Sequence, residues 1–234
     1  MQKKNPVEKL EKVEAPKNAS EHLLNLLKAT LSTIPFGGGI ASLMTDYIPS
    51  MKQERLEKFV QEVSDDLRSL QDRINEDTIH TDEFAFIFEK CFKGAAENYQ
   101  QAKLQAFRGI LINTAIGSDI EADEGEYYLN LVERLSALHL RVLAFLANPQ
   151  SYLLAHGIPE QNIRGGFPSF MPVAIPGADI EAIKGAFGDL YQIGLINTDR
   201  SMFNVMTSGQ GLELLGDRLT EAGRRFIAFC TTPE

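Results

Sequence analysis

The stretch RLEKFVQEVSDDLRSLQDRI, residues 55–74, carries the strongest pattern in the chain. Its apolar residues occupy two positions of a seven-residue repeat over three heptads. They are Leu56, Val63 and Leu70 at one position and Val60, Leu67 and Ile74 at the other. A helix places both sets on one face, and charged residues occupy most of the other positions. The spacing therefore predicts a long amphipathic helix over about 51–75, which in a single chain packs against another helix of similar length.

The segment that follows can supply this partner. Thr81 or Asp82 is a candidate N-cap for a run without proline, residues 82–116, whose apolar residues recur at helical spacing. The run predicts one helix, or two helices joined near Gly94. A further helical pattern extends from Asp123 to the residue before Pro149, as one helix or as two that meet at Ser136. Residues 20–120 are thus predicted to form a helical bundle with a long amphipathic helix pair.

Beyond Pro149 the pattern changes, because proline and glycine become frequent. One more helix is predicted over about 179–195 and a last one over about 219–230. Between them, SMFNVMT (201–207) and GLELLG (211–216) are candidate strands. The expected fold class is mostly α, with the helical bundle followed by a small α+β module over 121–234. Residues 1–19 are rich in lysine and glutamate, and are predicted to be a disordered tail without a signal peptide.

Three consecutive glycines stand out in STIPFGGGIASLMTDYIPSM, residues 32–51. Phosphate-binding loops need a lysine and a hydroxyl residue after the glycines, and neither follows here in the required spacing. Phe36, Gly37, Gly38 and Gly39 are therefore predicted to form a closely packed joint between helices. The alternative is a membrane-entering hairpin over residues 23–51, but few cationic residues flank it to attract anionic lipid.

No pattern of residues indicates catalysis or a cofactor. The four histidines are dispersed, and His139 is interpreted as a partnered histidine at the edge of the core. Acidic residues alternate from Asp119 to Asp123, but the glycine and glutamate that complete a calcium loop are missing. Cys91 and Cys230 lie far apart in the sequence, which is typical of a reducing compartment. We expect a cytoplasmic protein that is not an enzyme and carries no cofactor or metal.

The C-terminal third resembles the end of a winged-helix domain. LYQIGLINTD (190–199) is similar to the helix and turn that lead into a wing, and LTEAGRRFIAF (219–229) is similar to the helix that follows it. LSALHLRVLAFLANP (135–149) resembles the first helix of such domains. The whole layout resembles the bacterial abortive-infection alpha family. That resemblance implies a non-catalytic interaction or sensor protein of a bacterial cytosolic system, with phage defence as its setting.

Charge determines which partners are favoured. The formal net charge is −9, so the protein as a whole repels nucleic acid and anionic membranes. From residue 174 to the C-terminus, five cations face eight acids. The cations, which are the candidate contacts to nucleic acid or to a partner, are Lys184, Arg200, Arg218, Arg224 and Arg225. Another protein, or a second copy of this chain, is the favoured partner. A DNA-binding winged-helix regulator and a membrane-acting effector using residues 23–51 are the alternatives.

Overall fold

The computed structural model describes residues 47–205, 212, 215 and 217–233, and for residues 47–50 only the backbone. This part of the chain is mostly helical. Its α-helices are α1 (Tyr47–Ser69), α2 (Glu76–Ile79), α3 (Asp82–Glu97), α4 (Gln101–Ala115), α5 (Ala122–Arg134), α6 (Ala137–Ala147), α7 (Pro149–Ala155), α8 (Phe167–Ala174), α9 (Ile180–Ile193) and α10 (Glu221–Cys230). Short 3-10 helices cover Gln71–Arg73, Glu160–Asn162 and Arg200–Asn204. The predicted tail (1–19) and the glycine joint with its flanking helix lie outside the described residues.

Helix α1 confirms the predicted amphipathic helix, although it ends at Ser69 and a 3-10 turn follows. Five of the six heptad residues are buried, from Leu56 to Leu70, and Ile74 is half-buried. They face α3 and α4, which α1 contacts along its length. Arg108 on α4 fixes the position of α4 along α1. Its guanidinium donates to both carboxylate oxygens of Asp66 and, at 3.2 Å, to the carboxylate of Glu62.

The run 82–116 forms two helices, α3 and α4, that pack against each other. Thr81 is the N-cap, and its hydroxyl accepts the Phe84 N–H at 3.1 Å. The break falls at residues 98–100 instead of Gly94, because Asn98 ends α3. Both the Asn98 N–H (3.0 Å) and its side-chain amide (2.8 Å) donate to the Gly94 carbonyl. Gly94 itself lies inside α3, where the ring of Phe107 would collide with any larger side chain.

The C-terminal strands were not predicted correctly where the structure can test them. Arg200–Asn204 is a 3-10 helix, because Asp199 accepts the Ser201 N–H at 2.7 Å and caps a helical turn. Of GLELLG, only Leu212 and Leu215 are described. Pairing of extended backbone among the described residues is limited to one antiparallel bridge, between Ile196 and Leu219. The described residues therefore do not support the β part of an α+β module.

The buried side chains form one continuous cluster from Leu56 on α1 to Cys230 on α10. Helix α10 contacts both α4 and α6, so the last helix packs directly on the N-terminal helices. Cys91 on α3 and Cys230 at the end of α10 are both buried in this cluster. Burial, and next the closeness of Cys230, raise the pKa of the Cys91 thiol well above its usual value. The predicted division of the chain at residue 120 stays a prediction.

Candidate interaction surface

The turn after α9 has the geometry that the sequence GLI requires. Gly194 adopts a left-handed conformation (φ +84°), which L-residues with a side chain rarely adopt. The N–H groups of Gly194 and Leu195 bind the carbonyls of Tyr191 and Leu190, both at 3.0 Å. This is a Schellman cap, and it turns the chain so that Leu195 and Ile196 enter the core.

The start of α10 is locked onto this turn through Thr220 and Gly223. The Thr220 hydroxyl accepts the Gly223 N–H at 3.0 Å as a helix cap and donates to the Gly194 carbonyl at 2.6 Å. The Thr220 N–H binds the Leu195 carbonyl at 3.1 Å. A Cβ atom on Gly223 would lie 2.0 Å from the same carbonyl oxygen. The spacing of threonine and glycine in LTEAGRRF thus has a packing cause, since only glycine lets α10 lie against the turn.

Three of the five predicted contact residues are held in intramolecular ion pairs. Lys184 binds Glu181, which lies three residues earlier on α9, at 2.7 Å. Arg224 binds Asp217 at 2.7 Å and Glu221 at 3.2 Å. Arg225 binds Glu124 on α5 through Nε at 2.8 Å and through Nη2.

The pair formed by Arg225 and Glu124 is extended by a third side chain. Tyr128 donates its hydroxyl to the same carboxylate at 2.5 Å and is itself buried. Burial, and next the Glu124 carboxylate, raise the pKa of Tyr128 to about 12. The Arg225 guanidinium, in turn, lowers the pKa of Glu124. The network ties α5 to α10.

One of the other two cations, Arg218, lies beside an aromatic cluster formed by Phe167, Phe187 and Phe203, whose ring centroids are 5.3 to 5.7 Å apart. Arg218 lies over the Phe167 ring at 5.8 Å and donates to the Thr198 hydroxyl at 3.3 Å. Arg200 is exposed and lies near Gly188 on α9. The structure therefore brings Arg224 and Arg225 together, and it places Lys184, Arg200 and Arg218 elsewhere. Phe36 and Gly37, Gly38 and Gly39 fall outside the described residues.

A cleft of about 290 Å³ opens beside the two neighbouring arginines. It lies between the end of α4, the connector 116–121 and one face of α10. Its lining residues are Asn113, Ser118, Asp119, Ile120, Glu221, Arg224, Arg225, Ala228 and Phe229. No local pattern in the sequence relates these residues, because 101 positions separate Ile120 from Glu221, the nearest residues of the two contributing segments.

His139 has partners on both ring nitrogens. Its Nδ1 lies 2.7 Å from the Ser136 hydroxyl and accepts the Ser136 N–H at 3.2 Å, and its Nε2 lies 3.2 Å from the Asp189 carboxylate. Serine, histidine and aspartate in contact are also the groups of a catalytic triad. Here, however, Ser136 and His139 form a capping box. The serine hydroxyl accepts the backbone N–H of His139, and the histidine ring accepts the backbone N–H of Ser136. The arrangement thus caps α6 and joins it to α9.

Removing the cap should therefore affect stability. We expect Ser136→Ala to lower the free energy of unfolding by about 1 kcal/mol, as loss of a helix N-cap does. Denaturation in urea measures the change, and Ser69→Ala, at the exposed end of α1, is the control. Labelling of the native protein by a fluorophosphonate, lost in Ser136→Ala, would contradict the capping interpretation.

The part of the chain that the structure describes contains no group of three or more histidine, cysteine, aspartate or glutamate residues that could hold a metal ion. None of its helices is long and apolar enough to cross a membrane. No family model, curated protein or solved structure matches this chain.

Proposed function

We propose that this chain is a non-catalytic interaction or sensor protein that acts by binding another protein. Its resemblance to the abortive-infection alpha family suggests a bacterial cytosolic system, with phage defence as the setting. The observation that carries the proposal is the pairing of Lys184, Arg224 and Arg225 with carboxylates of the same chain. These are three of the five cations that a DNA-binding form of the module would use.

Ion pairing weakens the case for DNA as the partner. A phosphate group that approaches these cations meets charges already compensated by carboxylates of the same chain. Those carboxylates would then lie next to the DNA backbone and repel it. Arg225 is the clearest case, because Glu124 binds it at two nitrogens and is itself held by Tyr128. Proteins bind DNA chiefly by neutralising phosphates with free cations. A net charge of −9 adds a repulsive field.

The outward face of α9 is the surface that we assign to the partner. Its exposed residues share one side of the helix and are Glu181, Ala182, Gly185, Asp189 and Gln192. Small side chains at the middle of this face allow close approach, and nothing in the structure lies within 4 Å of a Cβ placed on Gly185. Glu181 and Asp189 bind Lys184 and His139 of this chain but stay 73% and 61% exposed. Both carboxylates are therefore accessible to a partner with a polar or basic surface.

The finer fold assignment, a winged-helix-like module, also remains part of the proposal. The interlock between the GLI turn and Thr220 and Gly223 supports it, since it gives both resembling segments one structural role. In such a module α9 would take the place of the recognition helix. A DNA-binding regulator is therefore the alternative function, and it predicts a different result in the experiment below.

Duplex DNA binding should be weak and without sequence preference. We expect a Kd well above about 1 μM at physiological salt, and a shallow dependence of affinity on salt because few phosphates are contacted. Fluorescence anisotropy with duplexes of random sequence and with the protein's own upstream region measures both. Tighter, sequence-dependent binding that is lost in Arg224→Ala/Arg225→Ala but kept in Lys58→Ala/Arg68→Ala, on α1, would favour the regulator.

The protein partner is tested through α9. Cross-linked complexes from a bacterial host, or self-association in light scattering, should be lost in Gly185→Arg, which places a bulky cation on the open face. Gln61→Arg, at an exposed position on α1, should leave the complex intact. Complexes that survive Gly185→Arg would contradict the assignment of this face.

A further inference from the structure

We propose that the cleft between α10 and the connector 116–121 binds a small zwitterion, an α-amino acid with an apolar side chain. This site is separate from the outward face of α9, and the proposal does not depend on the protein partner. It rests on the size of the cleft, on the guanidinium donors left open and on the presence of both signs of charge in its lining.

The size of the cleft suits a small metabolite. Its volume of about 290 Å³ corresponds to roughly ten water molecules at about 30 Å³ each. This is at the lower end of ligand pockets. Ile120, Ala228 and Phe229 supply apolar surface to the lining. A ligand of about ten heavy atoms with one apolar end therefore fits better than a nucleotide or a cofactor.

The two arginines keep donors for a carboxylate. Glu124 engages Nε and Nη2 of Arg225, while Glu221 and Asp217 engage Nε and Nη1 of Arg224. Among the described residues, Nη1 of Arg225 and Nη2 of Arg224 have no hydrogen-bond partner, and both arginines line the cleft. Bonds between guanidinium and carboxylate are among the stronger hydrogen bonds of proteins. The existing ion pairs hold both side chains in place before a ligand arrives.

The acidic residues of the lining determine the class of ligand. Both signs of charge line the cleft, with Asp119 and Glu221 beside Arg224 and Arg225, and the carboxylates of Asp217 and Glu124 pair with the two arginines. A phosphate dianion would be repelled by these carboxylates, and a bare metal cation by the two guanidinium groups. Asp119 is exposed and makes no ion pair with the described residues, which leaves it for a ligand ammonium group. A zwitterion satisfies both signs of charge.

Isothermal titration calorimetry of the full chain tests the proposal with L-leucine and L-phenylalanine as probes. We expect saturable binding with a Kd in the range of about 10 μM to 1 mM. The analogues 3-methylbutylamine, which lacks the carboxylate, and 4-methylpentanoate, which lacks the ammonium group, should each bind at least about tenfold more weakly than leucine.

Two variants locate the site. Arg224→Gln should weaken leucine binding at least about tenfold, because it removes a guanidinium that donates to the carboxylate of the ligand. Asp119→Asn should weaken the binding of leucine but not that of 4-methylpentanoate, and Asp119 lies on an exposed connector. Lys184→Gln, on α9, is the control that should bind like the wild type.

Three results would overturn the proposal. The first is no saturable binding of any proteinogenic amino acid up to about 10 mM. The second is 4-methylpentanoate binding as tightly as leucine, which would make the cleft a simple anion site. The third is leucine affinity unchanged in both Arg224→Gln and Asp119→Asn, which would place the ligand elsewhere. Loss of the protein partner in Gly185→Arg would leave all three outcomes unaffected.

Discussion

Gly109→Ala should lower the free energy of unfolding by about 3 kcal/mol or more. Gly109 lies on α4 where α10 ends, and a Cβ atom there would be 2.1 Å from the Cys230 carbonyl oxygen and 2.7 Å from the Thr231 nitrogen. Both are backbone atoms, so no side-chain rotation can relieve the overlap. The end of α10 would have to move away from α4 and uncover part of Phe229 and Cys230, which are now buried.

Urea denaturation of Gly109→Ala and Gly185→Ala measures this effect against a matched control. Gly185 lies in a helix as well, but a Cβ atom there would meet nothing within 4 Å. Alanine should therefore stabilise α9 by about 0.5–1 kcal/mol through its helix propensity. If Gly109→Ala were as stable as the wild type, α10 would not dock on α4 as closely as described.

Asn113→Asp should cost about 4 kcal/mol at neutral pH, the range for a buried charge without a partner. The nitrogen of the Asn113 side-chain amide lies within hydrogen-bond distance of the carbonyl oxygens of Gly109 (3.0 Å), Phe229 (3.0 Å), Thr231 (2.8 Å) and Ala228 (3.3 Å), and its two hydrogens are shared among them. It thus satisfies carbonyl groups that the end of α10 leaves without helical partners. A carboxylate would turn an oxygen toward these oxygens and repel them.

The loss caused by Asn113→Asp should depend on pH. The carbonyl oxygens and burial would raise the pKa of the new carboxyl group in the folded state above its unfolded value of about 3.9. Below about pH 3.9 the group is protonated in both states, and the loss grows as pH rises through the folded-state pKa. Urea denaturation at pH 5 should therefore show a smaller difference from the wild type than at pH 8.

Asn130→Asp is the control for this variant, because Asn130 is exposed on α5. Its stability should differ little from that of the wild type at either pH. A stable, pH-independent Asn113→Asp protein would show that the side-chain amide does not hold the end of α10.

Local patterns predicted the helices where the physical cause is itself local. The heptad stripe from Leu56 to Leu70 gave α1, and Ser136 marked the boundary between α5 and α6, because a helix face and an N-cap are properties of neighbouring residues. The break between α3 and α4 lies a few residues after Gly94, where it was predicted. Asn98 ends α3 through a side-chain bond to the Gly94 carbonyl, whereas the prediction had assigned the break to the glycine itself.

The strand prediction at SMFNVMT shows the limit of such patterns. A short run rich in apolar residues favours a strand, but Asp199 caps a helical turn immediately before it and Phe203 packs into an aromatic cluster. The cap and the cluster together outweigh a short β pattern. The ion-pair partners of the cations were also hidden, since Glu124 and Arg225 lie 101 positions apart.

By itself, the sequence determined that this protein is mostly helical, where its longest amphipathic helix lies and that its charge is acidic. These follow from composition and from spacing over a few turns. Only the tertiary structure decided that α10 docks on α4 through Gly109 and Asn113, and that Arg224 and Arg225 meet Asp119 and Ser118 at one cleft. Such contacts depend on how closely helices that are far apart in the sequence approach one another in space. The periodicity of residues along the chain carries no information about that separation.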